Sequence, residues 1–517
     1  MAKSLLSTPQ KLHKLIKIGL ALSGETRLDK LLELILTEAR NLTRAEAGSL
    51  YLAAWEEEAL HYRLTQNERL GKIFQDAAIY PAIPLKIKGK PNKSHVSAYV
   101  TNTGKTINIP DVYRTERFDF TGPKVYDQAT GFRSKSMLVV PMKDHRGMIT
   151  GGLQLINARD AKGRVVAFSK TDEALAGSLA SQAAIALEKT GLIEEISRLF
   201  DSFIQAIALA IDEKSCFTGG HIERVVELTL MLAEALNRAD YGPWKDFTFS
   251  PEELKELRYS AWMHDIGKIS IPEYILDKST RLQGFYDRFE VVSTRFKWFE
   301  EAQRPKIQAS PGSLQELEAD LEFLERVNQS KSHLKPEDLE RLQFLGKQAV
   351  KIDHQIIPLL NPSELQNLSV GEGNLNPEEK AAVQNHAALT FKLLSRLPFP
   401  RDLKNVPFYA SSHHEKLNGQ GYPRGLKGDE IPLQARLIAV ADVFEALTAP
   451  DRPYKKPMPL STALKILAQA AKKQELDSQV VELFLREKIY SPYGEKHLAP
   501  SSLDWENIPE SPAELLT

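Results

Sequence analysis

The chain has 517 residues, 26% charged and 42% hydrophobic, with a formal net charge of −1. This length exceeds what one core can organise and predicts two or three globular domains, while the near-neutral balance excludes a global electrostatic case for nucleic acid or an anionic membrane. The single cysteine, Cys216, excludes an internal disulfide framework and fits a reducing compartment, and no apolar run of about 18 residues is present to span a bilayer.

Residues 1–24 read as an amphipathic helix. Their apolar patch is interrupted by Lys14 and Lys17, and Gly24-Glu25 stands where a signal peptide would need small residues for cleavage. The expected location is therefore the cytoplasm. From Thr26, a plausible N-cap, a second helical pattern runs through Leu31, Leu32, Leu34, Ile35, Leu36 and Leu42. The period then changes to two. AGSLYLAAW, ALHYRLTQN, SMLVVPMKD and GGLQLINA alternate as strands. The order of helix, strands, irregular middle, strands and helix predicts an α+β domain over residues 25–172, an antiparallel sheet with helices on one side.

The stretch from about 25 to 190 resembles a GAF domain, a small-ligand sensory module. Cyclic-nucleotide-binding members of that family carry an Asn-Lys pair followed by Phe-x-x-x-Asp-Glu. Asn157, Phe168, Asp172 and Glu173 match, but Ala158 stands at the lysine position, leaving Arg159 as a candidate substitute. The competing reading is that Asp172 and Glu173 open the next helix, whose positive N-terminus favours carboxylates.

Residues 173–213 contain no proline and are predicted to form a signalling helix spanning roughly 60 Å. Ile193, Ile196, Phe200, Phe203, Ile207 and Ala210 step by three and four, the spacing of a seam between two paired helices. A parallel homodimer is the expectation, with a helix folded back on its own domain as the alternative.

Residues 214–490 carry chemistry-bearing motifs: TGGHIERV at 218–225, HDIGKISIPEYIL at 264–276, His386 in a QNH context, HHEKLNGQGYP at 413–423 and ARLIAVADVFEALTAPDRPYKK at 435–456. Together and in this order they resemble the HD-GYP family, the cyclic di-GMP phosphodiesterase branch of the HD phosphohydrolases. The implied fold is an all-α domain. Residues 283–376 interrupt it, too long for a structureless loop. Their polar helical pattern predicts an inserted helical hairpin whose aromatics, Phe289, Phe296 and Phe299, serve packing. Residues 491–517, rich in Pro, Ser and Glu, read as a loosely packed or disordered tail.

The resemblance implies a dinuclear centre built from His221, His264, Asp265, His386, His413, His414 and Asp442. Asp265 is the bridge. Phe217 stands where members with a third metal carry Glu. Imidazoles and carboxylates without thiolate suit iron or manganese. Two such cations neutralise phosphodiester oxygens and lower the pKa of a water between them, so that a bridging hydroxide attacks phosphorus. Lys268, four residues after His264, is expected on the same helix face, placed to hold a phosphate oxygen or the leaving group. Arg452 and Lys455 are candidate phosphate contacts. In the loop, Gly419 and Gly421 permit positive φ and close approach to a ligand, Tyr422 offers a ring or hydroxyl and Pro423 stiffens the exit. Glu415 is a candidate acceptor for a metal-bound histidine. The expected reaction is hydrolysis of cyclic di-GMP to pGpG and onward to GMP, under a sensor with an unassigned small ligand. The alternatives are a non-catalytic cyclic-dinucleotide receptor, or an HD hydrolase of a different cyclic nucleotide.

Overall fold

The structure, a computed structural model, describes residues 8–25, 27–69, 71–74, 81–214, 219–309, 312–329, 333–352, 355–449, 458–509 and 511–516. Thr26, Cys216, Phe217, Arg452 and Lys455 lie outside the described residues. The chain forms two compact units, 1–200 and 201–517.

In the first unit, helices α1 (Thr8–Gly24) and α2 (Leu28–Thr43) precede strands β1 (Ala45–Ala54) and β2 (Ala59–Asn67). Short strands β3 (Lys72–Phe74), β4 (Ile83–Pro84), β5 (Lys86–Ile87) and β6 (Lys90–Pro91) follow, then α3 (Val96–Thr103), β7 (Ile107–Ile109) and α4 (Thr121–Thr130). Strands β8 (Met137–Lys143), β9 (Ile149–Arg159) and β10 (Val165–Val166) lead into α5 (Lys170–Asp212). The main sheet is antiparallel in the order β3-β2-β1-β9-β8-β7.

Strand alternation explains why two cores form. Leu138, Val140 and Met142 face the core made with α1, α2 and Ala176–Leu187 of α5. Met137 and Val139 face the opposite core, with Val96 and Val100 of α3. The sheet is thus covered on both faces, where one was expected. The stretch taken as irregular supplies the second cover, because α3 and α4 are too short to declare a helical period. Leu15, Ile18 and Leu22 of α1 belong to the first core, so residues 8–24 are not a separate segment.

Helix α5 leaves most of the predicted seam exposed and buries a neighbouring line. Ile193, Ile196, Phe203 and Ala210 are exposed, but Phe200 and Ile207 are partly buried, and Ile204, Ala208 and Ile211 are buried. Within the second unit the end of α5 uses this buried line to join the helical core.

The second unit contains α6 (His221–Arg238), α7 (Pro251–Met263), α8 (Glu273–Leu276), α9 (Phe289–Ala309), α10 (Gly312–Asn328) and α11 (Pro336–Gly346). A hairpin of β11 (Ala349–Ile352) and β12 (Gln355–Pro358) precedes α12 (Pro362–Leu368) and α13 (Pro377–Leu394). Then come α14 (Val406–Ala410), α15 (Leu433–Thr448), α16 (Leu460–Lys472), α17 (Ser478–Arg486), α18 (Tyr490–His497) and α19 (Pro512–Leu516). Val225, Leu228 and Leu232 of α6 meet Leu437, Val440 and Phe444 of α15 in the main core, each side chain stabilising by about 1.5–3 kcal/mol on burial.

The insert is more than a hairpin. Its helices, with β11 and β12, enclose a core of their own around Val292, Phe296, Phe299, Leu324, Leu342 and Leu359. The tail is also ordered where described. Tyr490, Tyr493, Leu498 and Leu515 join the main core, and Asp504 accepts hydrogen bonds from the backbone N–H and hydroxyl of Ser461 at the start of α16. The polar composition of 491–517 conceals these few apolar anchors.

Candidate metal centre and sensor cavity

Local sequence places each histidine. Helix α7 starts with Ser250 and Glu253 in a capping box and Pro251 in the first turn. It ends at Met263. His264 is its C-cap, and Asp265 has φ −104° and ψ 8°, outside the helix. Lys268 therefore lies in a separate 3-10 turn, Ile266–Ser270. It reaches Asp265 across that turn, rather than sharing a helix face with His264 as expected. Helix α13, capped by Asn376 and Glu379, carries His386. His413 and His414 follow α14, and Asp442 lies on α15.

The seven predicted ligands converge. Two groups have ligand atoms within 4.8 Å of one another: His221, His264 and Asp265, and His386, His413 and His414. Asp265 stands between them. Its Oδ2 is 3.3 Å from His264 Nε2 and 3.7 Å from His221 Nε2. Its Oδ1 is 3.4 Å from His386 Nε2 and 3.9 Å from His413 Nε2. Asp442 Oδ1 lies 3.4 Å from His221 Nε2 and 3.9 Å from His264 Nε2.

The donor set fits divalent cations on a feature of the structure itself. His264, His386 and His413 each direct Nδ1 at the backbone carbonyl three residues earlier, Ala261, Val383 and Ala410, at 2.7, 2.6 and 2.7 Å. Donation there places the proton on Nδ1 and leaves the Nε2 lone pair as the ligand. All three Nε2 atoms, and Asp265 Oδ1, are buried with no hydrogen-bond partner. Four such orphans in one place cost about 1–3 kcal/mol each. A cation removes that cost.

For His386, His413 and His414 electrostatics point the same way. Burial pushes His413 and His386 below the ordinary imidazole range and His414 to about 3, so all three keep a free lone pair at neutral pH. Burial alone would also lower His221, but Asp265, Asp442 and Glu445 outweigh it and hold it well above that range. Burial would raise Asp265, yet Lys268 and His264 hold it well below the carboxylate range.

Glu445 escaped the sequence reading. Its carboxylate accepts from His221 Nδ1 and, at 2.7 Å, from Arg224 Nε. Its position one helical turn after Asp442 was the available signal. Glu445→Gln should weaken metal affinity about 10-fold or more, measured by metal titration. Unchanged affinity would remove Glu445 from any part in orienting His221. Glu415, the acceptor expected from sequence, instead accepts the backbone N–H groups of Arg424 and Leu426 at 2.7 and 2.9 Å and thereby shapes the loop.

In that loop Gly419 has φ 78°. Gly421 does not, and its requirement is close approach to the chain itself. A Cβ there would stand 2.3 Å from Lys416 N and 2.6 Å from His414 O. The Tyr422 ring lies 4.8 Å from that of His414, beside the metal ligands, and Pro423 follows it through a cis peptide.

Of the four GAF candidates only Phe168 and Glu173 are brought together: Asn108 Nδ2 donates to Phe168 O at 2.9 Å and to Glu173 Oε1 at 2.7 Å, and both residues line one cavity with Arg114, Arg117 and Lys170. Asn157 is buried, bonding Lys135 N, Arg133 O and Glu46. Arg159 pairs with Glu46 and so does not replace the missing lysine. Asp172 exchanges hydrogen bonds with Ser169 at the start of α5, and Glu173 accepts from Asn108 and Lys170. These are helix-opening roles. A separate cavity of about 500 Å³ in the same unit is lined by Tyr51, Tyr62, His95, Asp119, Phe120 and Gln154, among others. Its described lining includes neither lysine nor arginine.

Fold and site together define a sensory α+β domain joined to a helical metal-site domain. Residues 27–187 match the family model of the GAF domain, and residues 218–347 and 352–480 match two models of the HD domain. The chain thus carries a GAF domain followed by HD-domain sequence. It is 49% identical over 98 residues to 3'3'-cGAMP-specific phosphodiesterase 3 of Vibrio cholerae, covering 19% of this chain and 20% of that protein. It is 41% identical over 114 residues to a cyclic di-GMP phosphodiesterase of Thermotoga maritima, covering 22% of this chain and 30% of that protein. A cyclic di-GMP phosphodiesterase of Vibrio cholerae is 25% identical over 333 residues, covering 64% of this chain and 48% of that protein. The chain spans between a fifth and a half of the length of these relatives.

Proposed function

We propose that this chain is an HD-GYP phosphodiesterase that hydrolyses cyclic di-GMP to pGpG and onward to GMP. The observation that carries the reading is the set of buried, partnerless Nε2 atoms gathered around Asp265. His221, His264, Asp265, Asp442, His386, His413 and His414 hold two divalent cations, iron or manganese. When bound, these supply Lewis acidity and an activated water for attack on phosphorus. Lys268 holds a phosphate oxygen or the leaving oxygen. Tyr422 stacks on the base or binds a phosphate, beside Gly421 and Pro423, and Arg452 and Lys455 add phosphate contacts. The names and partial similarity of the curated relatives support the reaction class.

A second substrate has its own support. The 49% identical relative is named for 3'3'-cGAMP, so a mixed cyclic dinucleotide is the alternative. The GAF domain binds a polar ligand that is not an anion, a reading supported by the tyrosine-lined cavity, whose described lining holds Asp119 but no lysine or arginine. The reading also includes a cytoplasmic location; among the described residues no helix is long and apolar enough to cross a membrane. Pairing of two copies through exposed α5 residues such as Ile193, Ile196 and Phe203 completes it. A monomer by light scattering at micromolar concentration would overturn the pairing.

Anaerobic purification, metal analysis and chromatography of both dinucleotides test the central proposal. About two metals per chain with conversion of cyclic di-GMP are expected. Preferential conversion of cGAMP would replace the substrate. No conversion of either at full occupancy would leave a receptor.

A further inference from the structure

We infer that Lys214 and Asp212, at the end of α5, are positioning residues for the catalytic centre, holding the backbone that presents Lys268 and His221. The inference rests on the phosphodiesterase reading. Lys214 Nζ donates to three carbonyls: Lys268 at 3.0 Å, Ile269 at 2.6 Å and Ile271 at 2.6 Å. An ammonium has three protons, and here each has an acceptor. The first two carbonyls belong to the 3-10 turn and the third to its C-cap; Lys268 O also accepts from Ile271 N, and such an end is where a helix runs out of N–H groups of its own. The turn's own bonds at this end include Ile271 N to Lys268 O and the Ser270 hydroxyl to Gly267 O, and Lys214 adds three from outside the turn. Lys214 therefore grips the backbone of the residue whose side chain meets Asp265.

Asp212 acts on the other side of the centre. It is buried, and its carboxylate lies within interaction reach of the backbone N–H groups of Gly220 and Ile222, which flank His221. Gly220 is the N-cap of α6 and has no side chain to cap it. The Asp212 carboxylate beside that end is the charge that the positive helix N-terminus favours. A third fastening lies higher on α5, where Tyr259 Oη donates to Asp201. Tyr259 is on α7, the helix that ends at His264. Beside its apolar packing, the end of α5 thus makes polar contacts with three elements that carry site residues. Two of these contacts are two residues apart, so a single displacement of this turn moves Lys268 and His221 together.

The test compares Lys214→Met and Lys214→Arg with the parent, using the full-length, metal-loaded protein. Three quantities are read: metal content, kcat and KM for cyclic di-GMP, and amide hydrogen exchange of residues 265–271. Misplacement of a reacting group by about 1 Å costs up to roughly 100-fold in rate. Lys214→Met should therefore lower kcat at least about 10-fold at unchanged metal content, and speed exchange in 265–271. Lys214→Arg, which keeps several donors, should restore part of both. Parental kcat with parental exchange in Lys214→Met would overturn the inference. So would a rate loss that follows metal loss alone, or failure of arginine to rescue. Should the parent hydrolyse no dinucleotide, the functional reading fails by itself, and exchange at 265–271 still decides whether Lys214 holds the turn.

Discussion

Asp265→Asn is expected to reduce cyclic di-GMP turnover by at least about 1000-fold. Asp265 is buried, and its two oxygens face different histidine groups. An amide replaces one of those oxygens with a nitrogen that donates where a ligand must accept. The loss also removes the anion opposite Lys268. Charge stabilisation at such a centre is worth several kcal/mol, and each 1.36 kcal/mol is about tenfold in rate. Steady-state turnover with metal analysis checks this. Activity within about tenfold of the parent, at equal folding, would sink the site assignment.

Gly267→Ala should be nearly as severe, for a different reason. A Cβ at Gly267 would stand 1.9 Å from His386 O and 2.9 Å from Thr390 N. These are backbone atoms of α13 and cannot rotate away. The same contact is locked by Gly267 N donating to Thr390 Oγ1, which in turn donates to His264 O, both at 3.1 Å. A methyl group must therefore push the 3-10 turn off α13, which separates Asp265 from His386. Overpacking of this kind costs about 3 kcal/mol, and the metal count should fall below two per chain. Denaturant unfolding and metal analysis read the two effects. A parental midpoint with full metal content would show that the turn and α13 are not so tightly joined.

The contrast between these residues marks what sequence can reveal. Asp265 was legible because metal chemistry demands particular residue types, and His-Asp beside three further histidine motifs is rare by chance. Gly267 was not, since its requirement is a backbone of α13 more than a hundred residues away. Glu445 and Lys214 were hidden for the same reason. Each acts through a partner distant in the chain, and a carboxylate or ammonium on a helix surface is ordinarily a solvated group. Arg159 taught the converse lesson. Its neighbourhood in sequence suggested a ligand-site ion pair, but the strand places it against Glu46.

The sequence by itself carried the order of the GAF and HD matches and singled out the seven side chains that the fold gathers. Helical and strand periods are local properties, and ligand identity is chemistry carried by single side chains. Only the tertiary structure decided which groups share each ligand cluster, which face of α5 is buried, that the insert has a core of its own and that the tail joins the main one. Those outcomes depend on which apolar faces meet and on where backbone groups find partners, and both are set by contacts between segments far apart in the chain.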